Sequence, residues 1–140
     1  MQRPVYQSKI KSFKEQTTFS RNPPTYAHIM RNIFIGDVHG CSVEFRDMLD
    51  SVNYIAGSDR LLLTGDAFAR GPDPMGVWEI LQETEAEMVL GNHDAKLLEK
   101  LQCKLKGQPV LINRPDQQYT LDHLDPVSEI LLAWLAEMPL

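Results

Sequence analysis

The sequence has little cysteine, with only Cys41 and Cys103 among its 140 residues. Two cysteines cannot build a disulfide framework, and this pair lacks the close spacing of a cysteine metal site. They predict free thiols in a reducing compartment, so we expect a cytoplasmic protein. The sequence around Cys41 does not show the pattern of a general base with a residue that orients it, so Cys41 is not predicted to be a nucleophile.

Long apolar runs are also missing from the sequence. The apolar segment 127–140 is interrupted by Ser128, Glu129 and Glu137, whereas a membrane span needs about 20 consecutive apolar residues. We therefore expect no membrane partner. The hydrophobic share of 43% is nevertheless enough to form the core of one small domain.

Basic residues are scarce after residue 31. Residues 32–140 contain eight Lys and Arg against 18 Asp and Glu, whereas residues 1–31 contain six against Glu15 alone. An acidic domain argues against a broad nucleic-acid-binding face. The leader lacks apolar periodicity, so we expect a flexible basic extension at 1–31 and a domain at 32–140. An organelle-targeting peptide and a biological start at Met30 remain alternatives for the leader.

Three short apolar runs each end in a glycine that is followed by polar residues able to bind metal. The runs are IFIGDVHG at 33–40, LLLTGD at 61–66 and MVLGNHD at 88–94. Helix-length intervals separate them, which is typical of an α/β fold whose parallel strands deliver side chains to one edge of a sheet.

The hydrophobic pattern around these runs predicts the remaining elements. We expect a buried strand at 31–35, helices at 42–54, 76–83 and 92–105, strands at 60–64 and 87–90, a polar loop at 106–120 and a last amphipathic helix from Asp125. Ser42 is predicted to cap the first helix.

The polar residues of the three runs form a plausible set of metal ligands. Asp37 and His39 are one residue apart, while Asp66 and Asn92 follow the next two strands. Carboxylate, imidazole and amide groups together suit manganese, cobalt, iron or zinc better than calcium. Each aspartate or Asn92 alone would also fit a helix cap or an Asx-turn. The combination predicts two divalent ions and hydrolysis of a phosphoester or phosphoanhydride.

Two further side chains have predicted roles toward the substrate. Arg70 stands before Gly71, and its planar guanidinium can bind two phosphate oxygens. His93 follows Asn92 and can protonate the departing oxygen. His28 and His123 have no motif around them and are expected to be surface residues.

These motifs resemble a known signature. Gly36-Asp37-Val38-His39-Gly40, Gly65-Asp66 with Arg70-Gly71, and Gly91-Asn92-His93-Asp94 are similar to the motifs of calcineurin-like metallophosphoesterases across residues 32–105. The resemblance implies a β-sandwich flanked by helices, of which this chain would supply the N-terminal β-α-β-α-β-α half. The family's later histidine ligands are absent, so we expect an N-terminal portion whose second metal is poorly held.

Ala69 distinguishes branches of that superfamily. Phosphoprotein phosphatases have an aspartate at this position, which partners the catalytic histidine. The segment Gly65-Asp66-Ala67-Phe68-Ala69-Arg70-Gly71-Pro72 instead resembles bacterial symmetrical diadenosine tetraphosphate hydrolases. The resemblance implies symmetrical cleavage of diadenosine tetraphosphate to two ADP, with His93 as the acid and Asp94 partly replacing the missing partner.

Two alternatives to this activity remain open. The protein is a serine/threonine phosphoprotein phosphatase of the same superfamily, with a phosphoprotein as partner, or it is a truncated, non-catalytic module that binds phosphate. The predicted substrate-binding residues are Arg70, Asn92 and His93.

Overall fold

Three parallel strands form the sheet of this protein. A computed structural model describes residues 30–140. His28 and all but the last two residues of the predicted extension at 1–31 therefore lie outside the described residues. The strands are β1 (Asn32–Ile35), β2 (Arg60–Leu63) and β3 (Glu87–Met88), in the spatial order β1-β2-β3. Ile33 pairs with Leu61, and Leu63 pairs with Met88.

Helices alternate with these strands, and this arrangement confirms the predicted α/β class. The helices are α1 (Ser42–Ser51), α2 (Pro74–Glu83), α3 (Asn92–Leu105), α4 (Pro115–His123) and α5 (Ser128–Ala136), with a 3₁₀ turn at Asp125–Val127. No helix within residues 30–140 is both long enough and apolar enough to cross a membrane.

The core lies between the central strand and the helices. Leu61 and Leu63 of β2 are buried, and they belong to one cluster with Trp78 of α2, Leu101 of α3 and Leu131 of α5. Parallel strands covered by helices carry continuous apolar runs, and the sequence of β2 follows this rule. The buried core therefore anchors the strand whose carboxyl end carries Asp66.

The prediction that β1 is a buried strand was wrong for one of its faces. The Phe34 side chain is 72% exposed, whereas Ile33 and Ile35 are partly buried against the core. Successive strand residues point to opposite faces of the sheet. One face of β1 therefore contacts the helices, and the other has no cover from residues 30–140.

The predicted polar loop at 106–120 was wrong in its second half. Residues from Pro115 onward form α4, with Arg114 at the N-cap position and Pro115 in the first turn. The amide of Asn113 also donates to Oε1 of Gln117, at 2.9 Å. Proline suits the first helical position because its nitrogen needs no intrahelical partner. Thr120 and Leu121 are buried, so tertiary packing holds this short helix.

The cap predicted for α1 was also wrong. Cys41 occupies the N-cap position without a side-chain bond, and Oγ of Ser42 donates to Oδ2 of Asp73 at 2.5 Å. Oδ1 of Asp73 accepts the amide N–H of Gly76 at 2.9 Å, which caps α2. One carboxylate therefore links the start of α1 to the start of α2.

Candidate metal centre

The turns that follow β1 and β2 are joined by backbone hydrogen bonds. The amide of His39 donates to the carbonyl oxygen of Asp66 at 2.9 Å, and the amide of Gly40 donates to that of Ala67 at 2.8 Å. Because both strands are parallel, their carboxyl ends lie at the same edge of the sheet. The bonds then hold the two motifs side by side.

Three of the predicted ligands converge at this edge. Ligand atoms of Asp37, His39 and Asp66 all lie within 4.8 Å of one another. Nε2 of His39 is 3.4 Å from Oδ2 of Asp37, and Nδ1 of His39 is buried without a hydrogen-bond partner among the described residues. Two carboxylates and one imidazole fit a divalent transition metal, and three protein ligands leave a position for water or substrate. The residues present therefore fit a metal ion.

Left-handed backbone conformations are concentrated at this edge. His39, Asp66 and Arg70 have φ angles of 48°, 55° and 77°. Such a conformation costs about 1–3 kcal/mol in a residue other than glycine, and it persists only where surrounding contacts enforce it. Three of the five described non-glycine residues with a positive φ are therefore two predicted metal ligands and the predicted phosphate-binding arginine, and the other two, Asn53 and Glu85, lie in turns after helices.

Asp94 supports the second and third turns from beneath. Its side chain is 1% exposed, and its carboxylate accepts the amide N–H groups of Asp66 at 2.6 Å, Ala67 at 3.2 Å and Gly91 at 3.1 Å. Burial raises the pKa of Asp94 above its usual range, and these backbone bonds oppose that rise. Both oxygens of Asp94 thus face backbone amides of the ligand-bearing turns.

The turn before α3 approaches the Asp66 turn very closely. A Cβ added to Gly91 would lie 2.5 Å from the Asp66 nitrogen, and one added to Gly65 would lie 2.5 Å from the Gly91 nitrogen. The amide of His93 donates to Oδ1 of Asp66 at 2.9 Å. Only glycine leaves room for this contact between backbones, which fixes the start of α3 against Asp66.

The predicted substrate-binding residues lie beside the three converging ligands. The His93 ring stands edge-on to the His39 ring, with the centroids 5.5 Å apart. Asn92 is the first residue of α3. Together with Arg70 and Ala69, His93 and Asn92 line one side of a cleft of about 230 Å³. The structure therefore brings Asp37, His39 and Asp66 together and places His93 against His39. Arg70 and Asn92 share the adjoining cleft with His93.

Sequence reasoning missed the far side of this cleft. Its lining is completed by Lys96, Leu97 and Lys100 of α3 and by Arg114, Asp116, Gln117 and Thr120 at α4. The four-residue spacing of Asn92, Lys96 and Lys100 could have indicated this side of the cleft, because residues at that spacing share one helix face. Since residues 106–120 were predicted to be a loop, no opposing wall was expected.

His123 was predicted to be a surface residue, and it is exposed in the structure. Its ring stacks on that of Tyr119, with the centroids 3.8 Å apart.

The sequence of this chain is similar to those of known proteins. Residues 30–134 match the family model described as calcineurin-like phosphoesterase. The symmetrical bis(5'-nucleosyl)-tetraphosphatase of Proteus mirabilis is 37% identical over 118 residues, which cover 79% of this chain and 39% of that protein. That of Photorhabdus laumondii is 38% identical over 115 residues, with the same coverage of 79% and 39%. The chain thus spans about two fifths of these relatives' length.

Solved structures match as well. One described as a candidate diadenosine tetraphosphatase is 30% identical with a TM-score of 0.56, covering 81% of this chain and 48% of that one. A metallophosphoesterase from Sphaerobacter thermophilus is 20% identical with a TM-score of 0.53, covering 77% and 40%, and at that identity it shows the fold alone. The resemblance and the fold expected from the sequence are confirmed, and this chain belongs to the calcineurin-like phosphoesterase family.

Proposed function

We propose that this chain forms part of a metal-dependent phosphoanhydride hydrolase that cleaves diadenosine tetraphosphate symmetrically into two ADP. The observation that carries the proposal is the convergence of Asp37, His39 and Asp66 within 4.8 Å. The His39 ring of this group contacts the His93 ring, and His93 lines a cleft together with Arg70. The substrate is inferred from the relatives, which are named as tetraphosphatases, and the type of reaction is inferred from the side chains of the site.

The metal ligands of the proposal are Asp37, His39, Asp66 and Asn92. Because each carboxylate has two oxygens, Asp66 can accept the His93 amide and still coordinate a cation. Two divalent ions, of manganese, cobalt, iron or zinc, would activate the attacking water and neutralise phosphate charge. Both the number of metal ions and their identity are part of what we propose.

Arg70 and His93 act on the phosphate chain itself. The Arg70 guanidinium donates to two oxygens of the attacked phosphate and holds it in place. The protonated His93 side chain gives its proton to the bridging oxygen as the P–O–P bond breaks, while water adds its hydroxyl group to the attacked phosphorus. The other proton of the water passes to solvent, and His93 takes up a proton from solvent before the next turnover. One ADP leaves with the bridging oxygen and the other carries the new hydroxyl.

The surroundings of His93 favour an anhydride over a phosphoserine substrate. Position 69 is alanine, and the Asp94 carboxylate is bonded to three backbone amides rather than to the His93 ring. The leaving phosphate of ADP has a pKa of about 6, by analogy with the second ionisation of phosphate. A serine alkoxide is far more basic and needs a better oriented acid, so this site suits the anhydride. Asp94 then acts by positioning the turns.

Paired turnover assays test the proposal. The Mn²⁺-loaded protein is given diadenosine tetraphosphate and a phosphoserine peptide, and we expect faster cleavage of the dinucleotide with ADP as its only nucleotide product. The H39A variant should lose at least a hundredfold in turnover, as expected when one metal ligand is removed. Faster peptide cleavage would favour the phosphoprotein phosphatase. Binding of metal and phosphate without turnover of either substrate would favour the non-catalytic module.

We also propose that the protein is located in the cytoplasm. Cys41 and Cys103 are both free thiols, which suits a reducing compartment. The expected partners are small dinucleoside polyphosphates.

A further inference from the structure

Positive charge is concentrated in the cleft between α3 and α4. Residues 32–140 contain eight Lys and Arg and 18 Asp and Glu. Four of these eight basic residues line this cleft, namely Arg70, Lys96, Lys100 and Arg114, whereas among the described residues Asp116 is the only acidic one in its lining. The acidic domain therefore contains a cationic recess, which adjoins the candidate metal centre through the His93–His39 ring contact.

Much of this charge is available to a ligand. Arg70 and Lys96 have no hydrogen bond or ion pair with any other described residue. Arg114 uses only Nε to bind Asp116, at 3.0 Å, which leaves its terminal nitrogens. Lys100 donates to the Leu111 carbonyl at 2.5 Å and keeps two further donors. By contrast, Arg46 and Arg60 outside the cleft form two bonds each with Glu83 and Glu87.

The cations extend away from the metal centre in a row. Asn92, Lys96 and Lys100 follow one face of α3, and a rise of 1.5 Å per residue places them about 6 and 12 Å beyond Asn92 along the helix axis. Arg114 faces them from the start of α4. An anionic chain that begins at the metal centre would meet these cations one after another.

The lining also indicates which part of a ligand belongs here. Among the described residues, no Phe, Tyr or Trp lines the cleft, so it offers little for stacking a nucleobase. Its volume of about 230 Å³ is below the roughly 300–1,000 Å³ of pockets that enclose a whole drug-sized ligand. A short run of phosphate groups matches both the size and the charge.

We propose that the α3/α4 cleft is a polyphosphate subsite, which binds the phosphate groups that lie beyond the one attacked at the metal centre. This inference rests on the proposed function for its place in a reaction, but the binding itself does not. Lys96 and Arg114 each neutralise phosphate oxygens, and they distinguish a polyphosphate chain from an isolated phosphate. The subsite therefore favours dinucleoside polyphosphates over phosphomonoesters.

Calorimetry on the metal-free protein in EDTA tests the subsite without catalysis. The probes are inorganic tripolyphosphate and orthophosphate, and we expect tripolyphosphate to bind at least tenfold more tightly. K96Q and R114Q should each weaken tripolyphosphate binding about three- to tenfold, as for partly exposed charged hydrogen bonds. K106Q is the matched control, because this exposed lysine ends α3 outside the cleft. It should stay within twofold of the parent protein.

Several results would overturn the subsite. Equal affinity for the two probes would do so, as would unchanged tripolyphosphate binding in both K96Q and R114Q. An equal loss in K106Q would show that only the net charge of the protein matters. Each variant removes one surface charge, and an unaltered thermal midpoint confirms that it folds.

Steady-state kinetics separate this inference from the proposed function. In the Mn²⁺-loaded protein, K96Q should raise KM for diadenosine tetraphosphate about fivefold with a change in kcat of less than about twofold, whereas the control K106Q should leave both constants within about twofold. If the parent protein binds tripolyphosphate as expected but does not cleave the dinucleotide, the proposed function fails and the subsite stands. Cleavage with a KM that K96Q leaves unchanged overturns the subsite and retains the function.

Discussion

At the scale of single residues, Asp94 shows how a chemically suggestive side chain acquires a structural role. Its position after His93 suggested a partner for the catalytic acid, and the catalytic part of that prediction stays untested. In the structure its carboxylate accepts three backbone N–H groups from the two turns that carry Asp66 and Asn92. A buried carboxylate is tolerated when amides satisfy its oxygens, so Asp94 holds Asp66 and Gly91 in place.

We expect D94A to lower the free energy of unfolding by about 3 kcal/mol, because each buried N–H left without an acceptor costs roughly 1–3 kcal/mol. Urea denaturation measures this loss. Mn²⁺ binding, followed by calorimetry, should weaken at least tenfold because the Asp66 turn is no longer held.

The matched control for this prediction is D50A. Asp50 is an exposed residue of α1, and its removal should change the free energy of unfolding by less than about 0.5 kcal/mol. A D94A protein as stable as D50A, with undiminished Mn²⁺ affinity, would contradict the positioning role.

At the scale of elements, helices α1 and α2 depend on a shared polar contact. Asp73 caps α2 through the Gly76 amide and also accepts the Ser42 hydroxyl. The sequence pattern placed both helices correctly, but it assigned Ser42 to its own helix as a cap. A contact between residues 31 positions apart leaves no local pattern, so only the packed structure shows it.

A double-mutant cycle measures this contact. We expect D73A to lower the free energy of unfolding by about 2 kcal/mol, as for the loss of a cap together with a second bond, and S42A by about 1 kcal/mol. The double variant should lose about 1 kcal/mol less than the sum of the two, since both remove the same bond. Strict additivity in urea denaturation would show that the two side chains do not interact.

Helix α4 is the element that sequence reasoning missed. Its polar residues 116–118 and the preceding Pro109 and Pro115 suggested a loop, and its apolar pattern is weak. The helix forms because Thr120 and Leu121 are buried against the body of the domain, and tertiary packing commonly overrides weak local preference. Without α4 there is no opposing wall and hence no cationic cleft.

At the scale of the whole molecule, Tyr54 couples stability to alkaline pH. It follows α1, and its hydroxyl donates to the Thr84 carbonyl beyond α2, at 3.2 Å. Burial raises the pKa of Tyr54 above its usual value, and the carboxylates of Asp59 and Glu85 raise it further. In the unfolded chain the same phenol ionises near its ordinary pKa of about 10.

The difference between the folded and unfolded pKa values of Tyr54 fixes the direction in which stability changes with pH. Between the two pKa values the folded protein binds the proton that the unfolded chain has lost, so stability falls as pH rises. The contribution of Tyr54 is complete below about pH 10 and is lost as the pH passes the raised pKa of the folded state.

Y54F removes the titrating phenol and keeps the ring. Urea midpoints of the parent protein and Y54F, measured from about pH 8 to 11 around the ordinary tyrosine pKa, should therefore converge with rising pH. All other titrating groups are common to both proteins and cancel in the comparison. A constant difference across this range would contradict the assignment.

Local sequence patterns were enough to predict the three strands, the helices other than α4, the family, and the candidate ligands. These features are local: apolar runs of the right length, followed at once by glycine and a polar residue, place each ligand at a strand end. Parallel pairing then brings strand ends to one edge, so Asp37, His39 and Asp66 were predictable before any contact was known.

The tertiary structure alone decided which faces are covered and which side chains meet across the chain. The exposure of Phe34, the three amides on Asp94 and the row of cations facing α4 all arise from contacts between distant residues. The packing of one element against another sets these features, so they cannot be predicted from the sequence of either element alone. The candidate metal centre was thus predictable from the motifs, whereas the cleft beside it could be identified only in the folded structure.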